Sequence, residues 1–208
     1  LDYKTVLKPC SAEVTIKRSR FIGALYPCKS AAEANKIISE VRQAPRDARH
    51  NCYAYIAGSE EKYSDDGEPH GTAGKSIMDV LKYNGLKNCV LVVTRYFGGI
   101  LLGTGGLTRA YSLAASECAG SAETAVMKLC SFLSAEIGYA DLSVIQNLCS
   151  ERGAEILEPV YGEDITLTVA VPVNEKEALL SSAIDKTGGR TIFKELKEDY
   201  YFFKGKKT

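Results

Sequence analysis

The spacing of apolar positions changes several times along the chain, and each change predicts an element. Within residues 3–28, Val14 and Ile16 alternate with polar neighbours and 21–26 is a second run, so this segment reads as extended structure. Lys17, Arg18 and Arg20 fall at the turn between the runs, where charges are ordinarily just solvated. Ser30 opens a helix through a capping-box pattern with Glu33, and Ala34, Ile37, Ile38 and Val41 form its apolar face until Pro45 stops it. Residues 50–57 predict a strand with Tyr53 and Tyr55 on one face and Cys52, Ala54 and Ile56 on the other. A polar loop follows, and Thr72 is expected to cap a helix that buries Ala73, Ile77, Val80 and Leu81 and ends at Asn84-Gly85. Residues 88–94 are apolar on both faces, which suits a central strand covered on both sides. A helix is then predicted from Gly105, with Leu107, Ala110 and Ala114 facing the core and Arg109, Ser112 and Ser116 opposite them.

Near Gly120 the pattern shifts. Strand 126–137, helix 139–152, strands 154–160 and 165–173, helix 175–187 and strand 190–196 give the order βαββαβ, the split-βαβ ferredoxin-like motif. The helices are expected to end at Gly153 and at Gly188-Gly189, and Asn174 to Glu177 looks like a capping-box start. Pro172 makes its strand an edge or its end. The tail, 200–208, reads as an apolar anchor with a basic end. Two domains are expected, 1–122 and 123–208, in an α+β chain.

Composition narrows the function classes. The 208 residues are 45% hydrophobic and 25% charged, an ordinary globular balance. No apolar run approaches the roughly 20 residues of a membrane span, and the first residues lack a signal-peptide shape, so a cytoplasmic protein is expected. The seven cysteines are widely spaced without a CxxC pair, and there are two histidines; this is neither a disulfide framework nor a zinc pattern. Net charge is zero, but residues 1–120 carry 16 Lys and Arg against 12 Asp and Glu, and the remainder carries the opposite imbalance.

Two stretches carry candidate chemistry. The segment 94–111, TRYFGGILLGTGGLTRAY, places Gly98, Gly99, Gly103, Gly105 and Gly106 between a buried strand and a helix, flanked by Arg95 and Arg109. Glycine-rich backbone leading into a helix N-terminus offers N–H groups and the positive end of a dipole to an anion; the same glycines also serve turning and close packing. The segment 64–74, SDDGEPHGTAG, places Asp65, Asp66 and Glu68 together, a set able to hold a hard cation such as magnesium or to form a turn. Asp65 and Asp66 are neighbours that point apart, which argues against a converging acid–base pair. The following GTAGK lacks P-loop spacing. Arg42, Arg46 and Arg49 form a basic patch or a solvated helix end.

Three blocks, HNCYAY at 50–55, SDDGEPHGTAGKSIMDVL at 64–81 and VTRYFGGILLGTGGLTRAY at 93–111, together resemble the IMPACT family in its YigZ-like bacterial branch. His70 and Thr108 depart from the usual pattern. The resemblance implies a first domain like the βαβ domains of ribosomal proteins and translation factors, and a second like the last domain of elongation factor G. The resemblance implies that the eukaryotic relatives regulate a starvation-response kinase through an extra N-terminal domain, which is expected to be absent here, so that partner is not expected either. The expected function is a non-catalytic, translation- or stress-associated regulator that binds RNA or a ribosome-associated partner. Lys75, Arg95, Arg109 and the five glycines would contact phosphate, with Arg95 a candidate partner for Asp65 or Asp66. The alternatives are a magnesium-dependent enzyme acting on a small phosphorylated ligand, with Asp65, Asp66 and Glu68 as ion ligands, and a protein-binding adaptor.

Overall fold

The computed structural model describes residues 2–43, 48 and 50–203. Among the described residues, ten strands and five α-helices fall into two compact units, one of Tyr3–Val126 and one beginning at Met127.

The first unit contains β1 (Tyr3–Val6), β2 (Cys10–Ile16), β3 (Ser19–Pro27), α1 (Ala31–Gln43), β4 (His50–Ala57), β5 (Glu60–Ser64), α2 (Gly74–Tyr83), β6 (Cys89–Tyr96) and α3 (Gly103–Gly120). Its main sheet has the order β2-β3-β6-β4-β5, and every neighbouring pair is antiparallel. Because β3 and β4 both run antiparallel to β6, they are parallel to each other, and α1 joins them around it. Helices α2 and α3 cover one face, where Phe21, Leu25, Cys52, Ala54, Leu91, Val93, Ile77 and Tyr111 pack. Helix α1 covers the other through Ala34 and Ile38 against Tyr53, Tyr55, Val90 and Val92. Residues 90–93 are therefore wholly buried from both sides. Each such aliphatic side chain contributes about 1.5–3 kcal/mol.

Helix α1 starts as its sequence predicts. Ser30 Oγ accepts the Glu33 N–H at 3.2 Å, and the Glu33 carboxylate accepts the Lys29 N–H at 2.8 Å. The expected stop at Pro45 and the residues Arg46 and Arg49 lie outside the described residues. Three expectations differ from the structure. The polar segment after β4 is not all loop, since β5 pairs with β4 as a sheet edge; its side chains are exposed, so no apolar alternation marks it. Thr72 is not the cap of α2, because the helix begins at Gly74 and the Thr72 hydroxyl donates to the Pro69 carbonyl at 2.6 Å. Helix α3 begins at Gly103 rather than Gly105, so three of the five glycines lie in its first turn.

The second unit contains most of β7 (Thr124–Ile137), then α4 (Leu142–Glu151), β8 (Glu155–Tyr161), β9 (Ile165–Pro172), α5 (Lys176–Thr187) and β10 (Lys194–Tyr201). Strand β10 pairs with β7, β7 with β9 and β9 with β8, all antiparallel. This is the strand order of a split βαβ motif. Ile145, Leu148, Leu179 and Ala183 close its core over Leu133, Ile137, Leu167 and Val169. Helix α5 ends at Gly188 in the left-handed conformation, with the Gly189 N–H donating to the Ile184 carbonyl at 2.8 Å. Its start carries no side-chain cap, unlike the expected capping box. The last strand begins at Lys194 rather than near Arg190 and takes in Tyr200 and Tyr201. Its exposed, mostly charged sequence KELKEDYY hides it from any apolar pattern. The end of the basic tail, 204–208, lies outside the described residues.

All seven cysteines are free thiols, and six are buried. Burial pushes Cys28, Cys52 and Cys89 up to about 12 and Cys149 up to about 11, so these thiols stay protonated at neutral pH. Among the described residues no helix is long and apolar enough to cross a membrane.

Candidate nucleic-acid interface

The three motif blocks meet at one end of the first sheet. Arg95, near the end of β6, is the cross-strand partner of His50 on β4 and of Phe21 on β3. Directly opposed residues share a face. The row Phe21–Arg95–His50 therefore lies on the face that α2 and α3 cover.

The acidic segment folds as a turn held by its own carboxylates. Asp66 and Gly67 have positive φ, and the Glu68 N–H donates to the Asp65 carbonyl at 2.9 Å, the chemistry favoured by Asp-Gly. Asp65 accepts N–H groups from Gly71 at 2.8 Å, Ala73 at 3.0 Å and Gly74 at 2.8 Å. It thereby does the capping for α2 that Thr72 does not. A β-carbon on Gly74 would lie 2.7 Å from the Ser64 backbone, so the GTAG sequence lets the helix start close against β5. Asp66 accepts the Asn51 N–H at 2.6 Å and an Arg42 guanidinium bond, while its carbonyl faces His50 Nδ1 at 2.8 Å. Glu68 accepts Arg95 at 2.6 Å and the Tyr111 hydroxyl at 2.9 Å. The three carboxylates are thus engaged with three different sets of donors. Among the described residues no group of three or more Asp, Glu, His or Cys is placed to hold a metal ion together.

Arg95 is placed differently from its expected role. It is buried, and its partner is Glu68 rather than Asp65 or Asp66. Its guanidinium also lies 5.5 Å from the Phe21 ring centroid and 5.6 Å from that of Phe97. Its Nε has no hydrogen-bond partner among the described residues. Burial pushes the Tyr111 hydroxyl far above its ordinary range, which keeps it a donor to Glu68. Arg95 therefore fastens the turn 65–68 to the sheet, and its charge is already neutralised.

The glycines divide by role. Gly98 sits against the β2–β3 hairpin: a β-carbon there would lie 2.1 Å from the Arg18 carbonyl carbon, and its N–H donates to Ser19 Oγ at 3.1 Å. Gly99 and Gly103 have positive φ. Gly106 would bring a β-carbon to 3.1 Å from the Leu102 side chain, whereas Gly105 meets nothing within 4 Å. No side chain caps the N-terminus of α3. Arg109 is exposed farther along that helix. Lys75 is exposed and paired with Asp79 at 2.7 Å. Arg42 lies over the Tyr53 ring and pairs with Asp66, so it belongs to the turn's scaffold as well as to the surface. His70 is exposed, 3.8 Å from Asp65.

Sequence reading missed what the packing of Gly98 does. It brings the tip of the β2–β3 hairpin, Lys17-Arg18, up to the glycine loop. Ile16 pairs with Ser19, leaving a two-residue turn with φ of 45° at Lys17 and 66° at Arg18. Such turns favour Asn-Gly. A long basic residue at positive φ costs roughly 1–2 kcal/mol, and here two stand side by side. The one legible signal was the basic cluster itself.

These features define a two-unit α+β protein whose first unit gathers three motif blocks around a buried ion pair and a glycine-rich helix start. Residues 17–119 match the Impact N-terminal domain, and residues 136–190 match a domain of unknown function, DUF1949. The chain is 36% identical over 197 residues to the IMPACT family member YvyE of Bacillus subtilis, covering 93% of this chain and 91% of the relative. It is 35% identical to the IMPACT family member YigZ of Escherichia coli, covering 79% and 83%. Protein IMPACT of Rattus norvegicus is 33% identical over 100 residues, covering 44% of this chain and 31% of that protein. A crystal structure described as that of a hypothetical protein superposes with a TM-score of 0.63 at 30% identity, covering 95% of this chain and 98% of the other. The chain belongs to the IMPACT family.

Proposed function

We propose that this protein is a non-catalytic, translation- or stress-associated regulator in the cytoplasm that binds RNA, alone or on the ribosome, through its sugar-phosphate backbone. One observation carries the reading: two basic residues, Lys17 and Arg18, are held in the left-handed conformation at a hairpin tip packed against Gly98. Backbone strain of this kind is kept where the surroundings over-determine it, often at functional sites. The surface then comprises Lys17, Arg18, the uncapped start of α3 at Gly103, Gly105 and Gly106, and Arg109, with Lys75 and Arg42 farther out. Gly98 and Arg95 serve as scaffold. Two split-βαβ units support the likeness to ribosomal and translation-factor domains, and to the last domain of elongation factor G, as part of the same proposal.

The test is binding of a single-stranded RNA oligonucleotide across a salt series. The expected slope is about 0.7 per phosphate neutralised, and Lys17→Ala and Arg109→Ala each remove roughly one such increment, equally for different sequences. Folded variants with unchanged affinity and slope would overturn the proposal.

A further inference from the structure

Beside Arg95 lies a hollow of about 220 Å³ lined by His50, Arg95, Phe97 and Leu101. This is below the roughly 300 Å³ at which drug-sized pockets begin, and it leaves room for one heterocycle. We infer that it takes one unpaired nucleobase, so that the RNA bound at the adjoining loop is single-stranded there. The inference rests on the phosphate reading of that loop.

The chemistry of the walls selects the ligand. The hollow contains an arginine, yet it is a poor anion site: the Arg95 charge is met by Glu68 at 2.6 Å, and both side chains are nearly dry. What remains is flat and apolar. The Phe97 ring is 41% exposed and Leu101 is 85% exposed. The Arg95 guanidinium lies at cation–π distance from the Phe97 ring. His50 supplies a directional group. The Asp66 carbonyl can only accept, so the His50 Nδ1 at 2.8 Å donates to it, and in the Nδ1–H tautomer Nε2 is an acceptor. An aromatic face beside an acceptor suits a base, which offers a π-face for stacking and N–H donors on its edge.

Position supports the same reading. Phe97 directly precedes Gly98 and Gly99, and Leu101 lies two residues before Gly103, where α3 begins. A strand whose phosphates lie on the helix start and the Lys17-Arg18 turn therefore passes the mouth of the hollow. A base already stacked and paired in a duplex is not free to enter.

The experiment compares three fluorescent probes of equal length: single-stranded RNA, the corresponding duplex, and an abasic ribose-phosphate strand. The intact protein should bind the single strand about tenfold more tightly than the other two. Phe97→Ala should lower affinity for the single strand about tenfold, to the abasic level, with the salt slope unchanged, and Phe97→Tyr should restore it. Leu101→Ala, at a highly exposed position, is a second probe that leaves the fold intact and should weaken the same strand alone. Equal affinity for abasic and base-bearing strands, or no loss in folded Phe97→Ala and Leu101→Ala, would overturn the inference, while a persisting salt slope would leave the phosphate reading standing. Absence of binding to all three probes at low salt would overturn both.

Discussion

Arg95 and Glu68 form an ion pair that water barely reaches, Nη1 to Oε1 at 2.6 Å, with side chains 7% and 4% exposed. The pair joins the end of β6 to the turn before α2, and Tyr111 from α3 donates to the same carboxylate oxygen. Three segments far apart in sequence are thereby fixed by one group.

Removing either partner leaves the other charge buried and uncompensated. Glu68→Ala should cost about 3–5 kcal/mol in urea unfolding. Glu68→Gln should cost less, because its amide oxygen still accepts from Tyr111 and Arg95. The double variant Arg95→Met with Glu68→Leu should recover much of the loss. If Glu68→Ala unfolds at the wild-type midpoint, the pair does not hold the turn.

Asp65 makes stability depend on acid. Burial acts to raise its pKa, but the N–H groups of Gly71, Gly74 and Ala73 outweigh it and hold the carboxyl below its ordinary value. A depressed folded-state pKa means that this contribution is complete above the unfolded value, about 3.9. It is lost as pH falls through the folded value. Asp65→Asn should thus cost about 0.5–2 kcal/mol at neutral pH, the range of a lost cap. The gap to wild type should narrow on acidification below about pH 4. A gap that stays constant from neutral to acid would show that the ionised form is not what matters.

Much of the fold was legible because it obeys local rules. The capping box at Ser30, the two-sided apolar run of β6 and the glycine stops of α4 and α5 are set by near neighbours. Strand β5 escaped, and the strand expected at 190–196 was placed too early, because the side chains of β5 and β10 are mostly exposed and pairing alone defines their bounds. The site was legible in its parts but not in their roles. Asp65 reaches nine residues ahead to cap α2, Arg95 meets a carboxylate 27 positions away, and Gly98 bonds to Ser19 across 79 positions. Spacing within a motif carries no record of such partners. Hence Arg95 read as a phosphate candidate, while its burial and its pairing with Glu68 were not legible.

Among the described residues, the core of the first unit draws on residues up to Ala122 and that of the second starts at Leu133. A fragment ending at Val126 should therefore unfold cooperatively on its own in urea. Ending it at Ala122, where charge and composition change, should be worse, because the Glu123 carbonyl that accepts the Leu7 N–H at 2.9 Å would be gone. A Val126 fragment without a cooperative transition would show that the first unit depends on the rest of the chain.

Two glycines of the same segment separate scaffold from contact surface. At Gly98 a β-carbon would stand 2.1 Å from the Arg18 carbonyl carbon and 2.4 Å from the Ser19 nitrogen, and neither backbone atom can swing aside. Gly98→Ala should therefore cost about 1–3 kcal/mol or more and push the hairpin tip off the loop. At Gly105 a β-carbon meets nothing, and the residue lies inside the first turn of α3. Packing gives no reason for glycine there, and alanine is the better helix former by up to about 1 kcal/mol. Gly105→Ala should hold or raise the melting temperature. If RNA phosphates approach the main-chain N–H groups of that turn, the added methyl stands in their way, and affinity should fall severalfold at low salt while stability does not. Alanine scanning of charges does not yield this opposite movement of stability and binding, because a lost charge weakens binding wherever RNA merely hovers nearby. A Gly105→Ala variant that is as stable as wild type and binds RNA equally well would rule out main-chain contact at the helix start, leaving only the basic side chains to carry the interaction.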